Sequence, residues 1–230
     1  MTMTAGDIIQ AARDEHPAFN EVLVAPAMAW RWLQEIQLAL VEEARRADAT
    51  YLPTGVTITM GTDVNGNRTG TVGAGSPELL LAGFTLPSHL TVLGGTIYLD
   101  SARQLRDDLA LVPWADRHQP EGRYPAYERN QKLFLCGRDA DWAQVVTIDL
   151  DYIAIPTAPT AAASVLALPD SARSASVAAL ALAMARRAVA LKVELDFPYF
   201  QTKDAKATAS WLQSVRRMGQ PRVKYVREVV

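Results

Sequence analysis

The chain is poor in the residues on which most enzymatic and secretory chemistry rests. It has one cysteine, Cys136. That excludes an intramolecular disulfide and makes a reducing compartment the expected setting. Its three histidines, His16, His89 and His118, sit in unrelated contexts. None lies four residues from a second ligand type on a helix, so their spacing builds no zinc site. GxSxG, Walker and GxGxxG patterns are missing, and Gly73-x-Gly75 is too short to cradle a phosphate. Neither sign of charge dominates: 23 Lys and Arg stand against 25 Asp and Glu, a net charge of −2. Nothing global therefore calls for nucleic acid or an anionic membrane. MTMTAGDIIQ has neither a basic start nor an apolar core, so no secretory leader is expected. The longest apolar-rich stretch, Val177 to Leu195, is broken by Arg186, Arg187, Lys192 and Glu194, which argues against a membrane span. These absences predict a protein made in a cytoplasm that uses no cofactor, no metal and no membrane.

What is present is ordinary globular material. Hydrophobic residues make up 49% and charged residues 21%, enough to bury a core. The N-terminal fifty residues read as helical. Thr4 is placed to cap a helix from Ala5 to about Glu15, with Asp7 in its first turn and Ile8, Ile9 and Ala12 on one side. Pro17 ends it. A longer helix begins near Pro26, where proline suits the first turn. Ala29, Trp32, Leu33, Ile36, Leu40 and Val41 recur along it at three- and four-residue spacing, to about Ala47.

The pattern then changes period. Val56, Ile58 and Met60 alternate with threonines, which marks a half-buried strand. Asn65-Gly66 is a strong hairpin-turn signal, because both residues tolerate positive φ. Gly73–Pro77 reads as a loop. LTVLGGTIYLD, LALVPW, NQKLFLC and VVTIDLDYIAIP are short β-rich runs between turn residues. They predict a compact antiparallel meander from about Phe84 to Ile155. Residues 156–170 read as a Pro/Ala linker over the surface. A helix starts near Pro169-Asp170 and carries Val177, Leu180, Leu182, Met184, Val189 and Leu191. It is nearly apolar all round, so it needs burial in the core or against another subunit. Pro198 interrupts or ends it. A last helix runs from about Thr202 to Met218 with Ala205, Ala209, Leu212 and Val215 on one face, and Gly219 as its cap.

Three segments have a chemical and a plain reading. Asp63-x-Asn65-x-Asn67-x-Thr69 has the alternating oxygens of a calcium loop. Its sixth position is Arg68 rather than glycine and its twelfth is Ala74 rather than glutamate, so a hairpin turn is the simpler account. Asp139 and Asp141 form a DxD pair of the kind that holds magnesium, against a polar turn between strands. Cys136 lies among apolar neighbours, which suits a buried small hydrophobe better than a reactive thiolate. The C-terminal QPRVKYVREVV alternates Arg222, Lys224 and Arg227 with Val223, Tyr225 and Val226, following Arg216 and Arg217. It is either a solvated terminus or a β-prone tether that pairs with the strand edge of another chain.

One long run carries a resemblance. A strand ending in Val112-Pro113-Trp114 is followed by Tyr124-Pro125-Ala126-Tyr127. Then come Asn130-Gln131-Lys132-Leu133-Phe134-Leu135, Gly137-Arg138-Asp139, and a last strand ending at Pro156. Leu168-Pro169-Asp170-Ser171-Ala172-Arg173 then opens a helix ending Met184-Ala185-Arg186-Arg187, and TAGDIIQAARDE precedes them all. In this order the chain resembles the head-to-tail adaptor (connector) proteins of tailed bacteriophages, over about residues 4–190. The Asn/Gly-rich hairpin at 61–77 and the chain after Arg187 have no counterpart in that pattern.

The resemblance implies an α+β protein: a helical bundle (1–50 and 165–218) with an inserted small antiparallel β-meander (51–156), as one domain over 1–218. An extended C-terminal tail, 219–230, follows. It implies a virion structural protein without an active site, located in the neck. Such a protein forms a homo-oligomeric, dodecameric ring under the portal, extends the channel through which genomic DNA passes without sequence recognition, and offers a face to the next neck or tail protein. Arg222, Val223, Lys224, Tyr225, Val226 and Arg227 are the expected portal-binding residues. Tyr124, Tyr127, Phe134 and Trp142 would be packing residues, with Lys132 and Arg138 facing solvent or a neighbour. The alternatives are a tail-terminator or other neck protein, and a hydrolase using a carboxylate pair such as Asp139 and Glu128.

Overall fold

The computed structural model describes residues 3–48, 52–118, 122–136 and 139–219. Among these, two helices come first, α1 (Ala5–Arg13) and α2 (Pro26–Ala47). Then follow β1 (Thr54–Thr62), β2 (Arg68–Val72), β3 (Pro77–Leu79), β4 (Phe84–Thr85) and β5 (His89–Tyr98). After these come β6 (Arg106–Asp108), β7 (Ala110–Leu111), β8 (Pro125–Arg129), β9 (Lys132–Leu135), the short helix α3 (Asp139–Trp142) and β10 (Thr147–Ala154). Two long helices close the order, α4 (Arg173–Ala190) and α5 (Phe197–Gly219). The chain divides into two compact units: Met1–Tyr51 with Pro156–Val230, and Leu52–Ile155.

The first unit is helical. α1 begins with a reciprocal cap: the Asp7 amide donates to the Thr4 hydroxyl, and the Asp7 carboxylate accepts from Thr4. Those two bonds satisfy backbone donors that have no intrahelical partner. The Thr4 hydroxyl, donating to Asp7 Oδ2 at 2.7 Å, and then the Thr4 amide hold the Asp7 carboxyl below its usual range. α4 packs against α1, α2 and α5, and its Leu180, Met184, Ala185 and Ala188 are buried. This is why its sequence is apolar on nearly every side. α5 starts at Phe197, five residues before the start that the sequence suggests. Pro198 opens that helix instead of breaking one, because a first-turn position needs no amide donor.

The segment after Pro156 is less of a surface linker than its composition predicts. Leu166 and Leu168 are buried. The amides of Ala5 and Gly6 donate to the carbonyls of Ser164 and Ala162, at 2.9 and 2.8 Å, and Leu166 donates to Met3 at 3.1 Å. The approach is so close that a Cβ on Gly6 would lie 3.0 Å from Ala162. Two glutamines of α2 hold the same segment: Gln34 Nε2 donates to the Pro156 carbonyl at 2.8 Å, and Gln37 Oε1 accepts from the Ala167 amide at 3.1 Å.

The second unit overturns the expected small meander, and with it the helical-bundle description of the whole. It holds a six-stranded antiparallel sheet in the order β3-β2-β1-β10-β5-β6 and a four-stranded sheet in the order β4-β9-β8-β7. The chain is a mixed α/β protein in which sheet predominates over the inserted region. Three features of pairing explain the difference. β1 pairs with β10, nearly a hundred residues later, from Thr54↔Tyr152 to Thr59↔Thr147. The 61–77 segment continues that sheet, through β2 (Thr62↔Arg68) and then β3 (Thr71↔Pro77). β7 pairs with β8 in parallel (Ala110↔Pro125), which no meander does. One hydrophobic core draws side chains from both sheets, with Ile58, Ile97, Ile148 and Leu150 from the larger and Phe84 and Leu133 from the smaller.

Candidate interaction surfaces

The helical unit carries an open groove. α2 supplies Trp32, Ile36 and Ala39, α4 supplies Ala179 and Leu182, and α5 supplies Asp204 and Leu212. Two adjoining concavities of about 540 and 420 Å³ share Ile36, Ala39, Ala179 and Asp204. Alanines at the helix contacts leave the crevice unfilled, because a methyl group does not reach across it. Asp204 is its unusual member. Its Oδ1 is buried without a hydrogen-bond partner. Burial pushes its carboxyl above the ordinary range, against the opposing pull of Arg186. Near the turn from α4 to α5, Val189, Leu191 and Tyr199 are exposed.

At the start of α5, Lys203 ion-pairs with Glu15. Burial works against the ammonium, but the Glu15 hydrogen bond and charge outweigh it and hold Lys203 above its usual value. Phe200 packs on Phe19 at 5.2 Å between ring centroids, and His16 lies 5.4 Å from Phe19. The His16 Nδ1 accepts from the Ala18 amide at 3.2 Å. His16 thus belongs to a packed corner.

In the β-unit, the four-stranded sheet presents a row of aromatic rings. Tyr127 and Phe134 are cross-strand partners, stacked at 5.1 Å with 11° between their planes. Trp114 meets Tyr127 edge-on at 4.9 Å. The guanidinium carbons of Arg117 and Arg129 lie 3.7 and 4.1 Å from the Trp114 ring centroid. Phe134 also fixes its neighbour Gly83, which has φ +73°, and a Cβ there would lie 2.7 Å from the Phe134 ring.

The expected packing residues divide in two. Tyr124 and Trp142 are fully buried, edge to face at 5.3 Å, and burial pushes the Tyr124 phenol up. Tyr127 and Phe134 are half-buried. Lys132 reaches the Ala82 carbonyl at 3.4 Å. Arg68, at the start of β2, donates from Nη2 to the carbonyls of Trp142 and Val145, at 3.0 and 2.7 Å.

The candidates for chemistry resolve into local structure. Asp63 accepts at Oδ1 from the amides of Asn65 and Asn67, at 2.9 and 2.8 Å, and at Oδ2 from Asn67 Nδ2 at 2.9 Å. Its carboxyl is held low, first by the Asn67 side chain. These bonds make a hairpin turn, with Gly66 at φ +83°. Asp139 and Asp141 lie on α3, a single helical turn, and not on a polar turn between strands. Glu128, on β8, faces His89: its Oε1 is 3.4 Å from Nε2. Cys136 is half-buried, its thiol donates to the Pro125 carbonyl at 3.2 Å, and burial pushes its pKa up. His118 is exposed. Among the described residues no group of three or more His, Cys, Asp or Glu converges as a metal set, and no helix is long and apolar enough to cross a membrane. Arg138 and the residues expected to bind a portal, Arg222, Val223, Lys224, Tyr225, Val226 and Arg227, lie outside the described residues. Arg216 and Arg217, at the end of α5, are exposed.

Sequence reasoning missed Asp204 and the Trp114 cluster. Trp114 and Arg117 are three apart, which is visible, but Arg129 joins them only through strand pairing. No known protein family matches the sequence, and no curated protein matches it at a significant level.

Proposed function

We propose that this chain is a structural protein of a tailed-phage neck, an adaptor that assembles as a dodecameric ring under the portal and joins head to tail. The observation that carries the reading is the open groove of the helical unit, where Trp32, Ile36, Leu182 and several alanines lie among Glu35, Glu43, Arg186 and Asp204, with Val189, Leu191 and Tyr199 exposed near one end of α4. A surface of this kind is completed by another protein surface, and repetition of one such contact closes a ring. The ordered likeness of residues 4–190 to the adaptor family supports the same reading. The β-unit is larger than that likeness implies, so its own face is a further contact for a neck or tail partner. Genomic DNA passes through the ring without being read. A channel wall of mixed charge suits this, because dense Arg and Lys would hold phosphate. The protein is made in the host cytoplasm and resides in the virion neck.

In this reading residues 219–230 are the tether. They pair with a portal strand edge, the backbone giving affinity and Arg222, Lys224 and Arg227 giving register. Apolar burial at roughly 25 cal/mol per Å² makes each tail a modest binder. A ring of tails holds by avidity.

The test is co-sedimentation with the portal ring of the same phage, comparing the full chain with one stopped at Met218. The expected result is binding by the full chain and loss on truncation. Binding by both would move the interface into the helices. Binding by neither, with rings of six-fold symmetry on electron micrographs, would make this a tail terminator instead.

A further inference from the structure

The cluster beside the four-stranded sheet is built from contacts that stand whether or not the adaptor reading holds. Trp114 is 39% exposed, yet two guanidiniums are held against it. Neither has a carboxylate partner among the described residues. Among the described residues Arg117 donates to the Trp114 carbonyl, at 2.9 Å, and Arg129, exposed at the end of β8, has no ion pair. Their guanidinium carbons are no further apart than the sum of their distances to the ring, about 8 Å, so two like charges sit together, and no carboxylate of the described residues is paired with either. Asp116 lies close in sequence but pairs with neither. Lys132, the cross-strand partner of Arg129, is engaged elsewhere: its ammonium donates to the Ala82 carbonyl at 3.4 Å and its charge acts on Glu78.

We infer that Arg117, Trp114 and Arg129 form a docking site for an acidic extended segment of a partner protein. Tryptophan, tyrosine and arginine gathered at one point are the composition of an interface hot spot. The guanidiniums supply paired donors for carboxylates, and the indole supplies apolar area between them. In an extended chain, side chains two residues apart point the same way at about 7 Å spacing. A Glu-x-Glu or Asp-x-Asp strand therefore presents two carboxylates at the separation that the two arginines allow. Nucleic acid fits less well. Tyr127 and Phe134 are stacked on each other and Trp114 is covered by guanidiniums, so successive bases meet no row of free ring faces. The chain as a whole also carries a net charge of −2.

The test uses the full chain, ¹⁵N-labelled, with the Trp114 indole N–H resonance assigned through Trp114→Phe. The probe is the peptide acetyl-Glu-Val-Glu-Val-Glu-amide, with the Gln-Val-Gln-Val-Gln counterpart and a ten-residue oligo(dT) as comparisons. The expected result is a saturable shift of the Trp114 signal with the Glu peptide alone. It should weaken at least fivefold in Arg129→Gln and in Arg117→Gln, and also in 0.5 M salt. Arg129→Lys should recover part of the loss, because it restores the charge without the planar fork. A Trp114 signal that ignores the Glu peptide would overturn the inference, as would equal binding by the Gln variants. Tighter binding of oligo(dT) than of the peptide would also overturn it, and would make this a nucleic-acid surface.

Discussion

Replacing Gln131 should loosen the β-unit by an amount set by four backbone and side-chain atoms. Asn130 and Gln131 form the two-residue turn between β8 and β9, at φ +54° and +61°. From that tip the Gln131 amide reaches to the start of β5. Its Oε1 accepts from the His89 amide, and its Nε2 donates to the His89 carbonyl, both at 3.0 Å. Its own carbonyl accepts from the Leu86 amide, also at 3.0 Å. His89 is 2% exposed, so its two backbone groups find little water if the amide is removed. Each neutral hydrogen bond contributes about 1 kcal/mol, and a stranded buried partner costs about 1–3 kcal/mol. Gln131→Ala should therefore lose about 2–3 kcal/mol. Gln131→Asn separates the two roles of the residue. Asparagine tolerates positive φ better but is one methylene too short to reach His89, so it should lose about 1–2 kcal/mol. Hydrogen exchange of amides 84–92 in the full chain reads the effect directly. A loss of about 2 kcal/mol corresponds to roughly 30-fold faster exchange at His89. If Gln131→Ala exchanges within a factor of two of the wild type at His89, the bridge adds nothing and the reasoning fails.

Four further outcomes follow from the same geometry. Gly83→Ala combines a glycine-only backbone conformation, φ +73° and ψ 154°, with a clash on Phe134, and should cost about 2–3 kcal/mol or more in a denaturation midpoint. Arg68→Met keeps the stem but removes the donor to the Trp142 and Val145 carbonyls. It should destabilise the β-unit by about 1–3 kcal/mol, seen as faster exchange over 142–148. Asp204 has a raised carboxyl, so the folded protein takes up that proton more readily than the unfolded chain. The wild type should gain stability relative to Asp204→Asn as pH falls from the raised value through the ordinary carboxylate range, and at pH 7 the variant should melt higher. Cys136 has a raised thiol pKa, so N-ethylmaleimide should modify it more slowly than a free cysteine peptide at pH 7.5, and urea should erase the difference.

The local features were legible because their causes are local. Thr4 and Asp7 marked the cap of α1, Pro26 marked the start of α2, and Asn65-Gly66 marked a hairpin. The all-round apolar character of α4 called for burial in the core or against another subunit, and α1, α2 and α5 supply it within the chain. What was hidden depends on partners far away in sequence. Nothing within Val56, Ile58 and Met60 says that β1 lies beside β10, and nothing in Ala110-Leu111 says that its neighbour runs parallel. The expected meander failed for that reason. Pro198 misled because proline breaks a helix in its middle and opens one at its start, and only the position of the first turn decides between the two. The groove was half visible: Trp32, Ile36 and Leu212 were placed on apolar faces, but the alanines that leave it unfilled look like ordinary helix formers. The Trp114 cluster depended on the β8 register.

The pairing of β1 with β10 bears on how the chain is made. Thr54 and Tyr152 are opposite each other, so the inserted unit begins and ends at one place. On a ribosome, α1 and α2 emerge without the α4 helix that buries them, and the whole β-unit is complete before α4 appears. An unstructured insert of about a hundred residues would oppose the later meeting of α2 and α4 by a closure entropy of about 4 kcal/mol. An insert already folded, its ends joined by a strand pair, removes most of that penalty. Synthesis from the N-terminus thus turns the β-unit into a clasp, which returns the chain to α2 just as its last two helices are delivered.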